Sequence, residues 1–255
     1  MICRPAAAGE GISFIRGDIA GSPEMRLQDG LFLEGNRRRT EIGLSGVKVQ
    51  TLEHFMGALW ALEVDNLKVE VKGPELPAMD GSALGFMRPF NEAGFEELEA
   101  SRRYISVTET FCVEDGNRKI MVSPSEKLTV SYTIDYPIDC IGKETFRIAL
   151  DGVTFEKEIA PARTFCKRRE AFFLFLCGMG RGATFENTLI LGNKGPMATR
   201  LRFPNEPLRH KVLDLVGDLY MLGIPVLGEF RCERSGHALN ARVLREIYSR
   251  YVQKR

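Results

Sequence analysis

The run Arg209-His210-Lys211-Val212-Leu213-Asp214-Leu215-Val216-Gly217-Asp218 sets one imidazole and two carboxylates at four-residue intervals. The apolar Val212, Leu213, Leu215 and Val216 continue into Leu219, Tyr220 and Met221, which predicts a helix from about Pro207 to Met221 with one buried side. Residues four apart share a helix face, so His210 and Asp214 are neighbours and Asp218 lies one turn further on. Such a set can hold a divalent metal with two ligands and spare a carboxylate to orient another group. Taken alone, the stretch is equally well explained by an amphipathic helix with a solvated polar face.

The chain has three histidines, His54, His210 and His237. A catalytic zinc uses three protein ligands and keeps one position for water. His210 and Asp214 supply two, and either His54 or His237 can supply the third. Bound zinc lowers the pKa of its water to about 7 and polarises a carbonyl. Glu53, beside His54, is then placed to act as base toward that water. A remaining histidine can protonate a leaving group, and Asp218 can hold it in its working tautomer. The chemistry described is metal-assisted hydrolysis of an amide or ester.

The elements that must position these groups follow from pattern. Thr51 to Leu62 predicts a helix capped by Thr51, with Glu53-His54 in its first turn. Before it, Gly11–Arg16 and Gly30–Glu34 are β-like runs, and Arg37-Arg38-Arg39 reads as a solvated turn. Leu67–Lys72 alternates as a half-buried strand. A loop with two prolines and the turn Met79-Asp80-Gly81-Ser82 supports the site and leads into a helix from Leu84 to Ala93. The pattern restarts around Leu98–Arg103, which divides the chain into domains 1–100 and 101–255. The second half predicts strands at Tyr104–Glu114, Lys119–Ser123, Leu128–Asp135, Thr145–Leu150, Asn187–Leu191 and Val226–Cys232. Helices are expected near Arg169–Cys177, with a Gly-rich turn at 178–182 after it, and from Ser235-Gly236-His237 onward. Phe172, Phe173 and Phe175 read as core at helical spacing, with contact to a ligand's apolar chain as the second reading. The fold class is α+β.

Composition excludes several classes. Lys and Arg number 35 against 34 Asp and Glu, a net charge of +1, so the whole-molecule field does not favour nucleic acid. Six cysteines (Cys3, Cys112, Cys140, Cys166, Cys177, Cys232) form no CxxC pair and read as free thiols in a reducing compartment, with Cys166 and Cys177 read as inert. The longest apolar run, Ala171–Cys177, is far below the roughly 20 residues that span a bilayer. Met1–Ala6 does not read as a signal peptide. A cytoplasmic protein is expected.

The chain resembles the UDP-3-O-acyl-N-acetylglucosamine deacetylases, zinc enzymes of lipid A synthesis. The likeness rests on Thr51-Leu52-Glu53-His54, Val64-Asp65-Asn66-Leu67, Gly73 to Ala83, Ala162-Arg163-Thr164-Phe165, Leu208 to Leu219 and Ser235 to Asn240. These occur in family order and spacing over almost the whole chain. The resemblance implies zinc ligands His54, His210 and Asp214, with ferrous iron also fitting that set. It implies Glu53 as base and His237 as general acid, oriented by Asp218. Thr164 would hydrogen-bond the oxyanion, Lys211 would add positive charge there or to substrate, and Phe165 would pack against the sugar or its substituent. Two similar α+β sandwich domains would face each other across the active site. Gly43–Val49 would lie in a first insert, and Ala171–Leu191 in or around a second that lines a passage for the acyl chain. The implied partner is the UDP-linked, 3-O-acylated sugar, met by a monomer that touches a membrane surface only peripherally.

Three departures from the family pattern are expected to matter. The family starts earlier, with a strand and a Gly-Leu-His turn, so the first strand reads as missing. Cys166-Lys167-Arg168-Arg169 is basic where the family is small and apolar, which alters acyl-length preference or meets a phosphate. The chain ends at Arg255 without a fused dehydratase domain. The missing strand motivates an alternative from another class: a degenerate relative that binds the acylated sugar without turnover.

Overall fold

A computed structural model describes residues 1–21, 24–29, 38–137, 141–176 and 182–253. The expected strand Gly30–Glu34, Arg37, Cys140, Cys177, the side chain of Phe175 and residues 178–181 of the Gly-rich turn lie outside the described residues. The first half supplies β1 (Ile2–Pro5), β2 (Ile12–Arg16), β3 (Glu24–Arg26), β4 (Glu41–Leu44), β5 (Val47–Gln50), α1 (Glu53–Ala61), β6 (Leu67–Val71) and α2 (Leu84–Ala93). Alternation in β6 puts Leu67, Val69 and Val71 inside. β6 pairs antiparallel with β1 and parallel with β2, and the sheet runs β1-β6-β2-β3. The β4–β5 hairpin stands apart from it as a two-stranded sheet.

The second half supplies β7 (Ile105–Ser106), β8 (Phe111–Asp115), β9 (Arg118–Ser123), β10 (Leu128–Tyr136), β11 (Gly142–Leu150) and α3 (Gly152–Glu158). It continues with β12 (Phe165–Lys167), α4 (Arg168–Leu176), β13 (Leu189–Gly192), β14 (Gly195–Pro196), α5 (Glu206–Tyr220), β15 (Val226–Glu233) and α6 (His237–Ile247). Its main sheet runs β11-β10-β15-β9-β8, with β7 also on β15. A small sheet, β12-β13-β14, carries α4. The fold is α+β with open sheets.

Several local expectations change. Tyr104–Glu114 is not one strand, because the chain changes neighbours: β7 pairs with β15, whereas β8 pairs with β9. Thr51 does not cap α1. It sits at φ 59° and its hydroxyl donates to Glu75 at 2.6 Å, and Leu52 takes the cap position. α3 is an additional helix, too short for a periodic signal, started by Asp151 accepting from the Thr154 N–H at 2.7 Å. Phe172 and Phe173 are 66% and 57% exposed, so they are surface rather than core. Among the described residues Cys3, Cys112, Cys166 and Cys232 are free thiols, and no helix is long and apolar enough to cross a membrane.

α1 and α5 pack against each other at the centre. Gly217 makes this approach possible: a Cβ there would stand 1.9 Å from the Glu53 carbonyl oxygen. Both helices are buried nearly all round. α5 therefore has no solvated polar face. Its polar side chains are enclosed by protein.

Candidate metal centre and active site

α5 opens with Glu206 and Pro207, a first-turn proline whose missing N–H would have had no helical partner. Its four-residue spacing brings His210 Nε2 within 3.2 Å of Asp214 Oδ1. From α1, His54 Nε2 lies 3.8 Å from the same oxygen. The two imidazoles meet edge to face with centroids 4.8 Å apart. One ligand atom from each of His54, His210 and Asp214 lies within 4.8 Å of the others, and all three residues are buried.

The donor set fits a divalent cation. Asp214 Oδ1 is buried and has no hydrogen-bond partner among the described residues, an arrangement that is costly unless something else satisfies it. His210 Nδ1 is 3.0 Å from the Ala162 carbonyl oxygen. A carbonyl only accepts, so Nδ1 is the donor there and Nε2 is the nitrogen turned toward the cluster. Burial, with His210 adjoining, lowers the His54 pKa to about 3 and keeps the His54 ring neutral. The second Asp214 oxygen accepts from Lys211 Nζ at 2.6 Å. Burial opposes charge on both, but Lys211 holds Asp214 well below the usual carboxylate range, and Asp214 holds Lys211 above the usual lysine value.

Two further titratable groups flank this cluster. Glu53 accepts from the Thr40 N–H at 3.0 Å through Oε2, and burial pushes its carboxyl up to about 7 against the pull of His237. His237, the first residue of α6, has Nε2 3.9 Å from Glu53 Oε1 and 3.7 Å from Asp214 Oδ2. Its Nδ1 is 2.9 Å from Asp218 Oδ2, so Nδ1 is the donor. Burial lowers the His237 pKa, but Asp218 and Asp214 outweigh it and raise the value to about 9. Asn240 donates to Asp218 Oδ2 at 2.7 Å, and the Thr40 hydroxyl donates to Asp218 Oδ1. The position of Asn240, one turn beyond His237, is legible in the sequence. Thr40 lies 178 residues from Asp218 and has no sequence signal.

The wall beside the cluster comes from residues 162–165. The Thr164 N–H donates to Gly81 O and its carbonyl accepts from Leu189 N, both at 2.8 Å. Gly81 needs its positive φ of 79° there, and a Cβ would stand 1.6 Å from Asn187 O. The turn at Met79–Ser82 is held by Asp80, which accepts from Ser82 Oγ at 2.8 Å and Arg202 Nη1 at 2.9 Å. Phe165 stands edge-on to His210 with centroids 6.2 Å apart, and Tyr136 packs on Phe165 at 5.8 Å. Arg163, which pattern alone does not single out, donates from N and Nε to Glu206 Oε1 at 3.0 and 2.9 Å in a buried ion pair. That pair ties the wall to the start of α5.

The LpxC family model, described as UDP-3-O-acyl N-acetylglycosamine deacetylase, matches residues 1–249. The chain belongs to this family. Among its relatives, a UDP-3-O-acyl-N-acetylglucosamine deacetylase of Phenylobacterium zucineum is 39% identical over 97% of this chain and 85% of its own length. One of the same name from Acidithiobacillus ferrooxidans is 39% identical over 97% of this chain and 82% of its own. Another, from an Anaeromyxobacter species, is 37% identical over 95% and 79%. Glu53, residues 162–165, His210 and His237 come from four separate stretches of this sequence, and the fold brings them together.

Proposed function

We propose that this protein hydrolyses the N-acetyl group of UDP-3-O-acyl-N-acetylglucosamine and releases acetate, the committed step of lipid A biosynthesis. The observation that carries this reading is the unpartnered, buried Asp214 Oδ1 facing the His210 and His54 imidazoles at 3.2 and 3.8 Å, with Glu53 and His237 flanking it. His54, His210 and Asp214 would hold the metal, zinc by this nitrogen and oxygen set, with ferrous iron fitting the same ligands. When bound, the cation supplies Lewis acidity toward water and the amide carbonyl.

The chain's own residues do the proton work. Glu53, with its pKa near neutrality, takes a proton from the attacking water as the new carbon–oxygen bond forms. Charge then develops on the former carbonyl oxygen, where Thr164 donates a hydrogen bond and the Lys211 ammonium adds positive potential. His237 enters protonated, held at Nδ1 by Asp218. Its Nε2 proton passes to the departing sugar nitrogen as the carbon–nitrogen bond breaks. Acetate and the free amine result. Phe165 packs against the sugar or its acyl substituent.

The finer assignments belong to the same reading. Residues 1–100 and 101–255 act as two facing domains, and α4 with its neighbours lines the acyl passage. The exposed Phe172, Phe173 and Leu176, with Arg168 and Arg169 a turn before them, suit peripheral contact of a cytoplasmic monomer with a membrane surface. The alternative, binding without turnover, has no observation in its favour, since ligands, base and acid stand together.

The test is acetate release from the acylated nucleotide sugar by purified protein, with metal content measured on the same sample. Release with about one metal per chain, lost in Glu53→Ala with the metal retained, is the expected outcome. A folded, metal-loaded and inactive wild type refutes the proposal.

A further inference from the structure

Every polar group of Thr40 is used inside the site. Its N–H donates to Glu53 Oε2 at 3.0 Å. Its carbonyl accepts from the Leu52 N–H, at the start of α1, at 3.3 Å. Its hydroxyl donates to Asp218 Oδ1 and lies 3.4 Å from His237 Nδ1. Asp218 is a carboxylate with acceptors only, so the hydroxyl proton is committed to it. The other Asp218 oxygen accepts from Asn240 and, at 2.9 Å, from His237 Nδ1, which also lies 3.2 Å from Oδ1. Glu53 comes from α1, Asp218 from α5 and His237 from α6. Thr40 is a residue whose own groups reach both the Glu53 carboxylate and the carboxylate that orients His237.

From this juxtaposition we infer that Thr40 is a positioning residue, which sets the spacing between the proton acceptor and the proton donor of the reaction. The inference rests on the proposed hydrolysis for its kinetic consequence but not for its geometry. The main-chain bond to Glu53 survives any substitution other than proline, so side-chain changes isolate the link to Asp218. Without the hydroxyl, Asp218 Oδ1 loses a donor, and the carboxylate with its imidazole can turn away from Glu53. Buried hydrogen bonds to a charged group are strong, and misplacement of a catalytic group is expensive in rate. Thr40 touches neither water nor sugar in this scheme, so substrate affinity should not change.

The experiment compares wild type with Thr40→Val, Thr40→Ala and Thr40→Ser, all metal-loaded. Thr40→Val should lower kcat about 10- to 100-fold with KM within about twofold, and Thr40→Ser should restore most of it. Metal content and melting temperature should match wild type in Thr40→Ser and in at least one of the other two variants. A second readout needs no turnover: the Nδ1–H proton of His237 in nitrogen-15-edited NMR. It should be sharp in wild type and Thr40→Ser, and broadened by solvent exchange in Thr40→Val and Thr40→Ala. If wild type releases no acetate, the proposed reaction fails, and the NMR comparison still decides the role of Thr40. An unchanged His237 signal in a folded Thr40→Val or Thr40→Ala protein overturns the inference, as does an unchanged kcat.

Discussion

Replacing Gly217 by alanine tests whether the contact between α1 and α5 sets the metal centre. The added Cβ would stand 1.9 Å from the Glu53 carbonyl oxygen, 2.7 Å from its carbonyl carbon and 3.0 Å from its Cα. Contacts under 3.0 Å do not persist, so the helices must part by about 1 Å (3.0 − 1.9). The atoms met are backbone, and no rotamer change relieves them. Overpacking of this kind costs about 1–3 kcal/mol, and a backbone clash belongs at the upper end. For a chain of this size that corresponds to a fall in Tm of about 6–12 °C. The same displacement moves His54 on α1 away from Asp214 on α5, whereas metal–ligand distances tolerate only about 0.2 Å. Metal affinity should fall at least about tenfold, since a 1.4 kcal/mol loss suffices for that. Calorimetry on metal-free protein reads the first effect, and competition against a chelating dye reads the second. A Gly217→Ala protein that melts within about 1 °C of wild type and binds metal equally well would refute the reasoning, since the helices would then have room to spare.

Two other outcomes follow from the same geometry. Glu206→Gln leaves the Arg163 charge buried without its partner, so urea unfolding should show a loss of about 3–5 kcal/mol. A change under about 1 kcal/mol would mean that the guanidinium is satisfied by the Arg200 and Glu186 carbonyls and the Thr199 hydroxyl. The pH profile of kcat should be bell-shaped. In the proposed reaction Glu53 acts unprotonated, so rate falls as pH drops through its value, about 7 without metal; His237 acts protonated, so rate falls as pH rises through its value, about 9 without metal. A bound cation stabilises the anionic and neutral forms, so both limbs should lie below these values. An acid limb that persists unchanged in a residually active Glu53→Gln protein would assign that limb elsewhere.

Local pattern carries much of the architecture. The alternation of Leu67–Val71 and the helical spacing around His54 and His210 are properties of contiguous residues, and all three elements form where the pattern places them. The neighbouring of His210 and Asp214 needs only the helix repeat, and their 3.2 Å contact follows from it. Residue chemistry also marks the three histidines as unusual. It leaves open which of His54 and His237 stands with His210, because that depends on how α1 and α6 dock on α5. The packing puts His54 in the cluster and turns His237 toward Asp218. Burial of α5 on all sides is likewise a tertiary result. A polar face reads as solvated from sequence, and only the enclosing elements turn it into a site where Lys211 pairs with Asp214 rather than with water. Thr51 and the run Tyr104–Glu114 went to other conformations because distant partners, Glu75 and β15, supplied hydrogen bonds that no local signal encodes. The same reason hides Thr40: short-range propensity acts over a few residues, and the bond it makes to Asp218 closes a loop of 178.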